Sequence, residues 1–286
     1  MPRVFGFGSA TLHFRLRPAG TAPDPRDLLA GKVAAESGGN TADSLVQAAR
    51  LGTHANWLGK LGDDWIARRI LADLEEETVD CSAAILDPAA CSPLRLVVDQ
   101  PQGQTIRLPN SLATLKPDEL DFLAGQVGEG DWTLVEIGEI PLPIVLAFCQ
   151  RLRRRGGRIL LTLDLDPIRQ IGADPVDLQF LLSQADLLVP RHHAVRTLCE
   201  TDNPEIMAAD LARRHHCLTV IRTPHTAWYA APTGLADEFP ADLPDPDAPG
   251  SGEAAVRGAR LAALAQGRSL PAALRLAHPC AARAAA

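Results

Sequence analysis

The second half of the chain alternates short apolar segments with a helical pattern, and this alternation limits the possible folds more than any other feature. Strands are predicted at 133–137, 159–163, 187–189 and 219–221, and a helix at 142–155 separates the first two. Parallel strands need long crossover connections, which are usually helices. The pattern therefore predicts an α/β fold with a mostly parallel sheet and helices on both faces. The length of 286 residues suits one large α/β domain or two small ones.

The first half of the chain is predicted to contain strands, two helices and a hairpin. Residues 4–8 form a short apolar segment, and residues 11–17 alternate apolar and polar side chains with the period of a strand. Helices are predicted at 42–52 and from Asp63 or Asp64 through Glu77. The apolar face of the second helix consists of Trp65, Ile66, Ile70, Leu71 and Leu74. Segments 94–99 and 104–108 are predicted to form the hairpin.

Gly6 and Gly8 match the beginning of a dinucleotide-binding fingerprint. That fingerprint requires a helix directly after the glycine loop, because the helix N-terminus meets the pyrophosphate. A strand is predicted after Ala10 instead. A nicotinamide-dependent enzyme stays open here as an alternative, and a strand after Ala10 would exclude it.

Charge and cysteine usage exclude several classes of protein. The formal net charge of -7 argues against nucleic acid or an anionic membrane as the main partner. No secretory signal and no segment of about 18 apolar residues is visible, so a cytoplasmic location is expected. The six cysteines form no Cys-x-x-Cys pair, which favours reduced, mostly buried thiols over disulfides or a metal cluster.

Two pairs of adjacent histidines, His192-His193 and His215-His216, suggest a metal site at first sight. Adjacent side chains seldom point toward one ion, and no His-x-x-x-His pair is present. We therefore expect loop or surface histidines and assign no metal ligand. A serine hydrolase is also not indicated, because the chain has no Gly-x-Ser-x-Gly elbow.

The segment Asp247-Ala248-Pro249-Gly250-Ser251-Gly252-Glu253 precedes a predicted helix at 254–266 and is the best candidate for a chemical site. Glycines let backbone N–H groups converge on an anion where the helix dipole also attracts negative charge. Glu253 could take a proton from a hydroxyl group beside that anion. Taken alone, the segment is better explained as a glycine-rich loop than as a phosphate site, with Glu253 only complementing the helix dipole.

The order of motifs changes that interpretation. Asp247 to Ala255 resembles the C-terminal signature Asp-Thr-Thr-Gly-Ala-Gly-Asp-Ala-Phe of the ribokinase-like (PfkB) carbohydrate kinases. Gly38-Gly39 through Gly52, followed by Gly59-Lys60-Leu61-Gly62-Asp63-Asp64, resembles the N-terminal signature of the same family. This resemblance implies one ribokinase-like domain over 1–286, in which segments 10–36 and 91–108 form a small β-sheet lid.

The resemblance also implies cofactors and roles for individual residues. It implies that ATP and Mg²⁺ are the cofactors and that a sugar is the substrate. It also makes a homodimer through the lid a possible assembly. Gly250, Ser251 and Gly252 would stabilise the transferred phosphoryl group, and Glu253 would be the catalytic base. The substrate would be bound by His13, Gly38, Gly39 and Asp43. ATP would be bound by Arg191, Arg222, Pro224, Asp247 and His278.

The chain departs from the family pattern at several of these positions. Glu253 and His13 stand where the family has Asp, and Asp43 stands where it has Asn. Arg191 and Ala194 replace the Asn and Glu that help to hold Mg²⁺, and Pro224 and Ala227 replace the two glycines of the ATP-side turn. Asp164-Leu165-Asp166 resembles the family's Asp-x-Asn segment, or is simply a polar turn. These changes leave two functions open: an active kinase, or a homologue that binds a ligand without catalysis. The sequence does not name the sugar.

Overall fold

The computed structural model describes residues 1–19, 30–98, 105–108, 111–138, 140–164, 172–223, 225–234, 236–240 and 252–284. Four of the predicted site residues, Gly250, Ser251, Pro224 and Asp247, lie outside these ranges, and so does the side chain of His278. The strands are β1 (Arg3–Phe7), β2 (Thr11–Pro18), β3 (Ala30–Gly38), β4 (His54–Leu58), β5 (Lys60–Gly62), β6 (Ile85–Asp87), β7 (Leu94–Val98), β8 (Thr105–Arg107), β9 (Trp132–Ile137), β10 (Arg158–Leu163), β11 (Leu187–Pro190), β12 (Leu218–Arg222), β13 (Thr226–Ala230) and β14 (Ala236–Pro240). The α-helices are α1 (Asn40–Arg50), α2 (Trp65–Glu76), α3 (Pro117–Gly125), α4 (Leu142–Arg154), α5 (Pro175–Leu182), α6 (Pro204–His215), α7 (Glu253–Ala265) and α8 (Leu270–Ala284).

The large sheet has eight strands in the order β14-β13-β12-β11-β10-β9-β1-β4. The six strands from β12 to β4 are parallel, and β13 and β14 extend the sheet as an antiparallel hairpin. This arrangement confirms the predicted α/β fold with a mostly parallel sheet. Helices α3 to α6 pack on one face, and α1, α2, α7 and α8 pack on the other.

A second sheet of four strands has the order β3-β2-β7-β8. It contains the predicted hairpin as the antiparallel pair β7 and β8, and β2 pairs with β7 in parallel. Strand β2 begins at Thr11, directly where a dinucleotide-binding fold needs a helix. The nicotinamide-dependent alternative is therefore excluded. That this sheet acts as a lid of a single domain, and as a dimer interface, stays a prediction.

Two local predictions were wrong. Trp65 is not part of the buried face of α2: it is 56% exposed and makes an edge contact with Phe14 of β2, with ring centroids 6.1 Å apart. The reason is its place at the first position of the helix, from which it reaches the second sheet. His215 is not a surface histidine, because it lies in the last turn of α6 and is 4% exposed. Burial lowers the pKa of His215 to about 4, so its ring is neutral and can be packed inside.

Candidate functional site

The charged residues of the site lie at the carboxyl edge of the parallel strands, where open α/β sheets place their ligands. Asp164 directly follows β10, Arg191 directly follows β11, and Arg222 is the last residue of β12. Side chains alternate along a strand, so these three residues share the sheet face that carries Leu160, Val189 and Val220. Helix α7 packs on that face and begins at Glu253.

Gly252 shapes the start of α7. It is the N-cap residue and has a φ of 68°, a left-handed conformation that glycine adopts without the penalty of a Cβ atom. Its carbonyl accepts the first helical hydrogen bond, from the N–H of Val256 at 3.0 Å. The glycine predicted before the helix is thus required by the backbone, and the free N–H groups of the first helical turn point out of its N-terminus.

Glu253 is a buried carboxylate held by two arginines. It is 6% exposed, and its Oε2 accepts a hydrogen bond from Nε of Arg222 at 2.8 Å. Nη2 of Arg222 contacts the same oxygen. Nε of Arg257, one helical turn further along α7, lies 3.8 Å from Oε1. The predicted base is therefore already engaged by positive charge on both of its oxygens.

Asp164 is the centre of a second ion-paired group. It accepts hydrogen bonds from Nε of Arg191 at 2.8 Å, from both Nη atoms of Arg257 at 2.6 and 3.1 Å, and from Nδ2 of Asn40 at 3.1 Å. Burial opposes its charge, but the guanidinium groups of Arg257 and Arg191 hold the pKa of Asp164 below its ordinary value. Burial likewise opposes the charge of Arg257, and the nearby carboxylates raise its pKa. Asp164 is thus an ionised partner of arginines, which settles that it is more than a polar turn residue.

Glu136 in β9 connects Ser9, which follows the first strand, and helix α1 to the ion-paired group around Asp164. Its carboxylate accepts hydrogen bonds from the backbone N–H and the hydroxyl of Ser9 at 2.9 and 2.8 Å, from Oγ1 of Thr41 at 2.8 Å and from Nδ2 of Asn40 at 3.1 Å. A Cβ atom at Gly8 would lie 2.0 Å from Oγ1 of Thr41 and 2.7 Å from the carboxylate. Gly8 therefore makes room for this hydrogen-bond network.

The predicted substrate residues meet near the end of β3. A Cβ atom on Gly38 would lie 3.4 Å from Oδ1 of Asp43 and 3.6 Å from Cε1 of His13, so both side chains border the same point. Gly39 has a φ of 120°, and a Cβ atom there would lie 2.6 Å from the carbonyl oxygen of Ser9. Gly39 is thus needed for the tight entry into α1. The structure brings His13, Gly38 and Asp43 together between the two sheets.

Asp43 links this cluster to the arginines. The residue is exposed to solvent, but its carboxylate lies beside Gly38 and within reach of the charges of Glu136 and Arg257. Burial raises the pKa of Asp43 to about 6; the charge of Glu136 acts in the same direction, and a backbone hydrogen bond and Arg257 act against it. Asp43 therefore changes charge close to neutral pH, within the electric field of the groups around Glu253.

The described carboxylates do not fit a divalent cation. Mg²⁺ requires free oxygen ligands in a nearly octahedral arrangement. The oxygens of Glu136, Asp164 and Glu253 are instead occupied by N–H and O–H donors, and Arg191 adds positive charge beside them. Within the described ranges, no group of three His, Cys, Asp or Glu residues is arranged to hold a metal ion.

Several residues of this site were not predicted from the sequence: the network residues Ser9, Asn40, Thr41, Glu136 and Arg257, and the buried Arg260 beside them. Three of them gave a signal. Glu136 is a charged residue inside the apolar strand Trp132–Ile137. Arg257 and Arg260 follow Glu253 at helical spacings of four and seven residues, which places all three on one face of the otherwise alanine-rich helix α7.

A model of the pfkB family of carbohydrate kinases matches residues 1–223. The fold is shared with solved structures whose names describe them as sugar or nucleoside kinases. A putative ribokinase from Agrobacterium tumefaciens has a TM-score of 0.76 and 20% identity, with coverage of 97% of this chain and 89% of that chain. A fructokinase from Vibrio cholerae O395 has a TM-score of 0.78 and 20% identity, with coverage of 99% and 98%.

An aminoimidazole riboside kinase from Salmonella enterica is similar at a TM-score of 0.77 and 20% identity, with coverage of 99% of this chain and 93% of that chain. No curated protein matches the chain. At these identities the solved structures establish a ribokinase-like fold. Among the described helices, none has both the length and the apolar character of a membrane span.

Proposed function

Because this chain belongs to the PfkB family of carbohydrate kinases, we propose that it transfers a phosphoryl group from ATP to a hydroxyl group of a sugar or sugar-like molecule. The position of Glu253 carries this proposal. The carboxylate lies at the start of α7, directly after the left-handed Gly252, at the sheet edge that also carries Asp164 and Arg222. A carboxylate beside free helix N–H groups can take a proton where negative charge develops.

Each part of the site has a role in this reaction. His13, Gly38 and Asp43 bind hydroxyl groups of the substrate between the two sheets. Glu253 takes the proton of the attacking hydroxyl, and the N–H groups at the turn of Gly250, Ser251 and Gly252 stabilise negative charge on the transferred group. ATP supplies that group. In this proposal Arg191, whose side chain is partly exposed, contacts the phosphates of ATP.

Two further features bear on nucleotide binding. Arg222, predicted to bind ATP, is directed to Glu253, so it acts on the base and reaches phosphate only if that ion pair opens. Pro224, Asp247 and the side chain of His278 keep their predicted ATP-binding role as part of this proposal. No step is assigned to Mg²⁺, because the described carboxylates do not fit it.

The test is ATP consumption across a panel of sugars and nucleosides, with Glu253→Gln as the diagnostic variant. The change removes the base and keeps the size of the side chain. We expect kcat to fall by about 100-fold or more, while the Kd of the substrate, measured by calorimetry, changes by only a few-fold. Glu76→Gln, an exposed glutamate in α2, is the matched control and should keep full activity. If an active substrate is found and Glu253→Gln retains the full rate, Glu253 is not the base.

A second function is favoured by one observation: both oxygens of Glu253 contact guanidinium groups. A carboxylate in this state is not available to a substrate hydroxyl until Arg222 moves away. The same site could bind a sugar-like ligand without phosphoryl transfer and serve a regulatory purpose.

Thermal shift separates the two functions, since a ligand that binds the folded state raises the apparent stability. Stabilisation by a sugar together with stabilisation by ATP supports the kinase. Stabilisation by a sugar, with no response to ATP with or without Mg²⁺ and no ATP consumption, supports the ligand-binding function.

A further inference from the structure

A cavity of about 230 Å³ lies between α5, the turn after β11 and the end of α6. It is on the sheet face that carries α3 to α6, whereas α7 and Glu253 are on the other face. None of the described residues that line it belongs to the predicted kinase site. An engineered cavity of about 150 Å³ is enough to bind benzene. The space therefore suits a molecule slightly larger than a benzene ring.

Three leucines give the cavity an apolar wall. Leu178 and Leu182 are one helical turn apart in α5, so they lie on the same face of that helix. Both are buried, and the partly buried Leu198 packs against the same core. Small-molecule sites usually have such walls, and a few polar groups set the orientation of the ligand. The cavity can thus hold an apolar body.

His215 is the polar side chain most suited to a ligand. It lines the cavity from the last turn of α6 and is 4% exposed. Among the described residues its Nδ1 is buried without a hydrogen-bond partner, whereas Nε2 is not closed off in this way. Burial lowers the pKa of His215 to about 4, so the ring is neutral and carries one proton. A buried N–H group without an acceptor is costly, so the proton lies on Nε2, which is a hydrogen-bond donor for a ligand.

The charges around the cavity favour an uncharged ligand. Arg214 lies at the cavity, and its Nη2 is held by the carboxylate of Asp210 and, at 2.8 Å, by the carbonyl oxygen of Leu198. The cavity is also close to the C-terminal end of α6, where helix carbonyl groups carry partial negative charge. A cation would meet the guanidinium group, and an anion would meet the helix end.

From these contacts we propose that the cavity binds a small uncharged molecule with an apolar ring and one oxygen atom. The ring lies against Leu178, Leu182 and Leu198, and the oxygen accepts a hydrogen bond from Nε2 of His215. The site uses neither ATP nor a sugar and shares no described residue with the site of Glu253. A failure of either proposal therefore leaves the other unaffected.

Phenol and toluene are matched probes, because they differ only in a hydroxyl group in place of a methyl group, and benzoate adds a negative charge. The experiment measures the Kd of each probe by ligand-observed NMR with the full chain at pH 7. We expect phenol to bind saturably with a Kd of about 1 mM, which is in the range for a ligand of seven heavy atoms. Benzoate should bind at least about 10-fold more weakly than phenol, because its charge would lose water without gaining a partner.

His215→Phe is the diagnostic variant, because it removes the ring N–H group and keeps an aromatic ring in the core. The Kd of phenol should rise about 10-fold and that of toluene should change by less than about 2-fold, since only phenol loses a hydrogen bond. His216→Asn is the control: this neighbour is exposed, asparagine tolerates its left-handed φ of 53°, and phenol should bind as to the wild type. Gln179→Trp adds bulk at the cavity from an exposed position of α5 and should weaken the binding of both phenol and toluene.

The proposal is overturned if phenol does not bind saturably, if benzoate binds as tightly as phenol, or if His215→Phe binds phenol as the wild type does. If His215→Phe does not fold, Gln179→Trp decides, and unchanged phenol binding in that variant rejects the cavity as the site.

Discussion

Gly258 controls how closely α7 approaches α1, and replacing it with alanine should separate the two helices. A Cβ atom at this position would lie 2.1 Å from the carbonyl oxygen of Ser44 and 2.8 Å from Cβ of Gln47. Ordinary van der Waals contact begins at 3.4 Å, so the carbonyl oxygen and the new carbon must move apart by about 1.3 Å. The carbonyl belongs to the backbone and cannot rotate away, so the helices themselves must shift.

The energetic cost follows from two opposing effects. Alanine is better than glycine inside a helix by about 1 kcal/mol. Overpacking of a tight contact costs about 1–3 kcal/mol and sometimes more, and a rigid backbone obstacle favours the upper end. The net loss for Gly258→Ala should be about 2 kcal/mol, which lowers Tm by roughly 5 °C in a protein of this size.

The functional effect should exceed the effect on stability. Helix α1 carries Asn40 and Asp43, and α7 carries Glu253, so a shift of about 1 Å between them misplaces substrate and base and can lower kcat about 100-fold. Urea unfolding and ATP consumption measure the two effects. Gly125→Ala is the control: nothing lies within 4 Å of its Cβ position, and stability should stay equal or rise by up to about 1 kcal/mol. If Gly258→Ala is as stable as the wild type, the contact between α7 and α1 tolerates an added methyl group and the reasoning is refuted.

Two further predictions concern α1. Asn40→Leu removes the Nδ2 group that donates hydrogen bonds to both Glu136 and Asp164 at 3.1 Å. The free energy of unfolding, measured with urea, should fall by about 1–3 kcal/mol. A decrease under about 0.5 kcal/mol would contradict the bridging role of Asn40. The pKa of Asp43 is about 6 in the folded protein and near the ordinary value of 3.8 in the unfolded chain. Protonated Asp43 therefore contributes to stability below pH 3.8, and this contribution is lost as pH rises to about 6. Asp43→Asn lacks this loss, and the Tm difference between variant and wild type should grow in favour of the variant from pH 4 to pH 7; parallel profiles would show that the pKa is not raised.

The central sheet and its helices could be predicted because hydrophobic periodicity reports burial directly. Strand β10 begins one residue before the predicted strand at 159–163, and helix α4 ends one residue before the predicted helix at 142–155. The hairpin of β13 and β14 was not predicted. Its strands pair with neighbours close in sequence, but the segment Ala236–Pro240 contains Asp237, Glu238 and Pro240, residue types that are uncommon in strands.

The site was predictable only in part, for a different reason. The turn before α7 and Glu253 follow from local residue types, since glycines and a helix start are visible in the sequence. The partners of Glu253 are not, because Arg222 comes from a strand 31 residues earlier and meets the carboxylate only after the sheet has formed. Likewise, Asn40 meets Asp164 across 124 residues of chain.

Arg222 decides whether Glu253 can act as a base, because a carboxylate held by a guanidinium group is not available to a substrate hydroxyl. Its Nε and Nη2 both contact Oε2 of Glu253 in the structure. In an active kinase, therefore, Arg222 leaves this oxygen before the hydroxyl loses its proton, whereas in a protein that only binds a ligand Arg222 stays on Glu253. ATP consumption by the wild type and its loss in Glu253→Gln distinguish these cases, because only the first requires a free carboxylate.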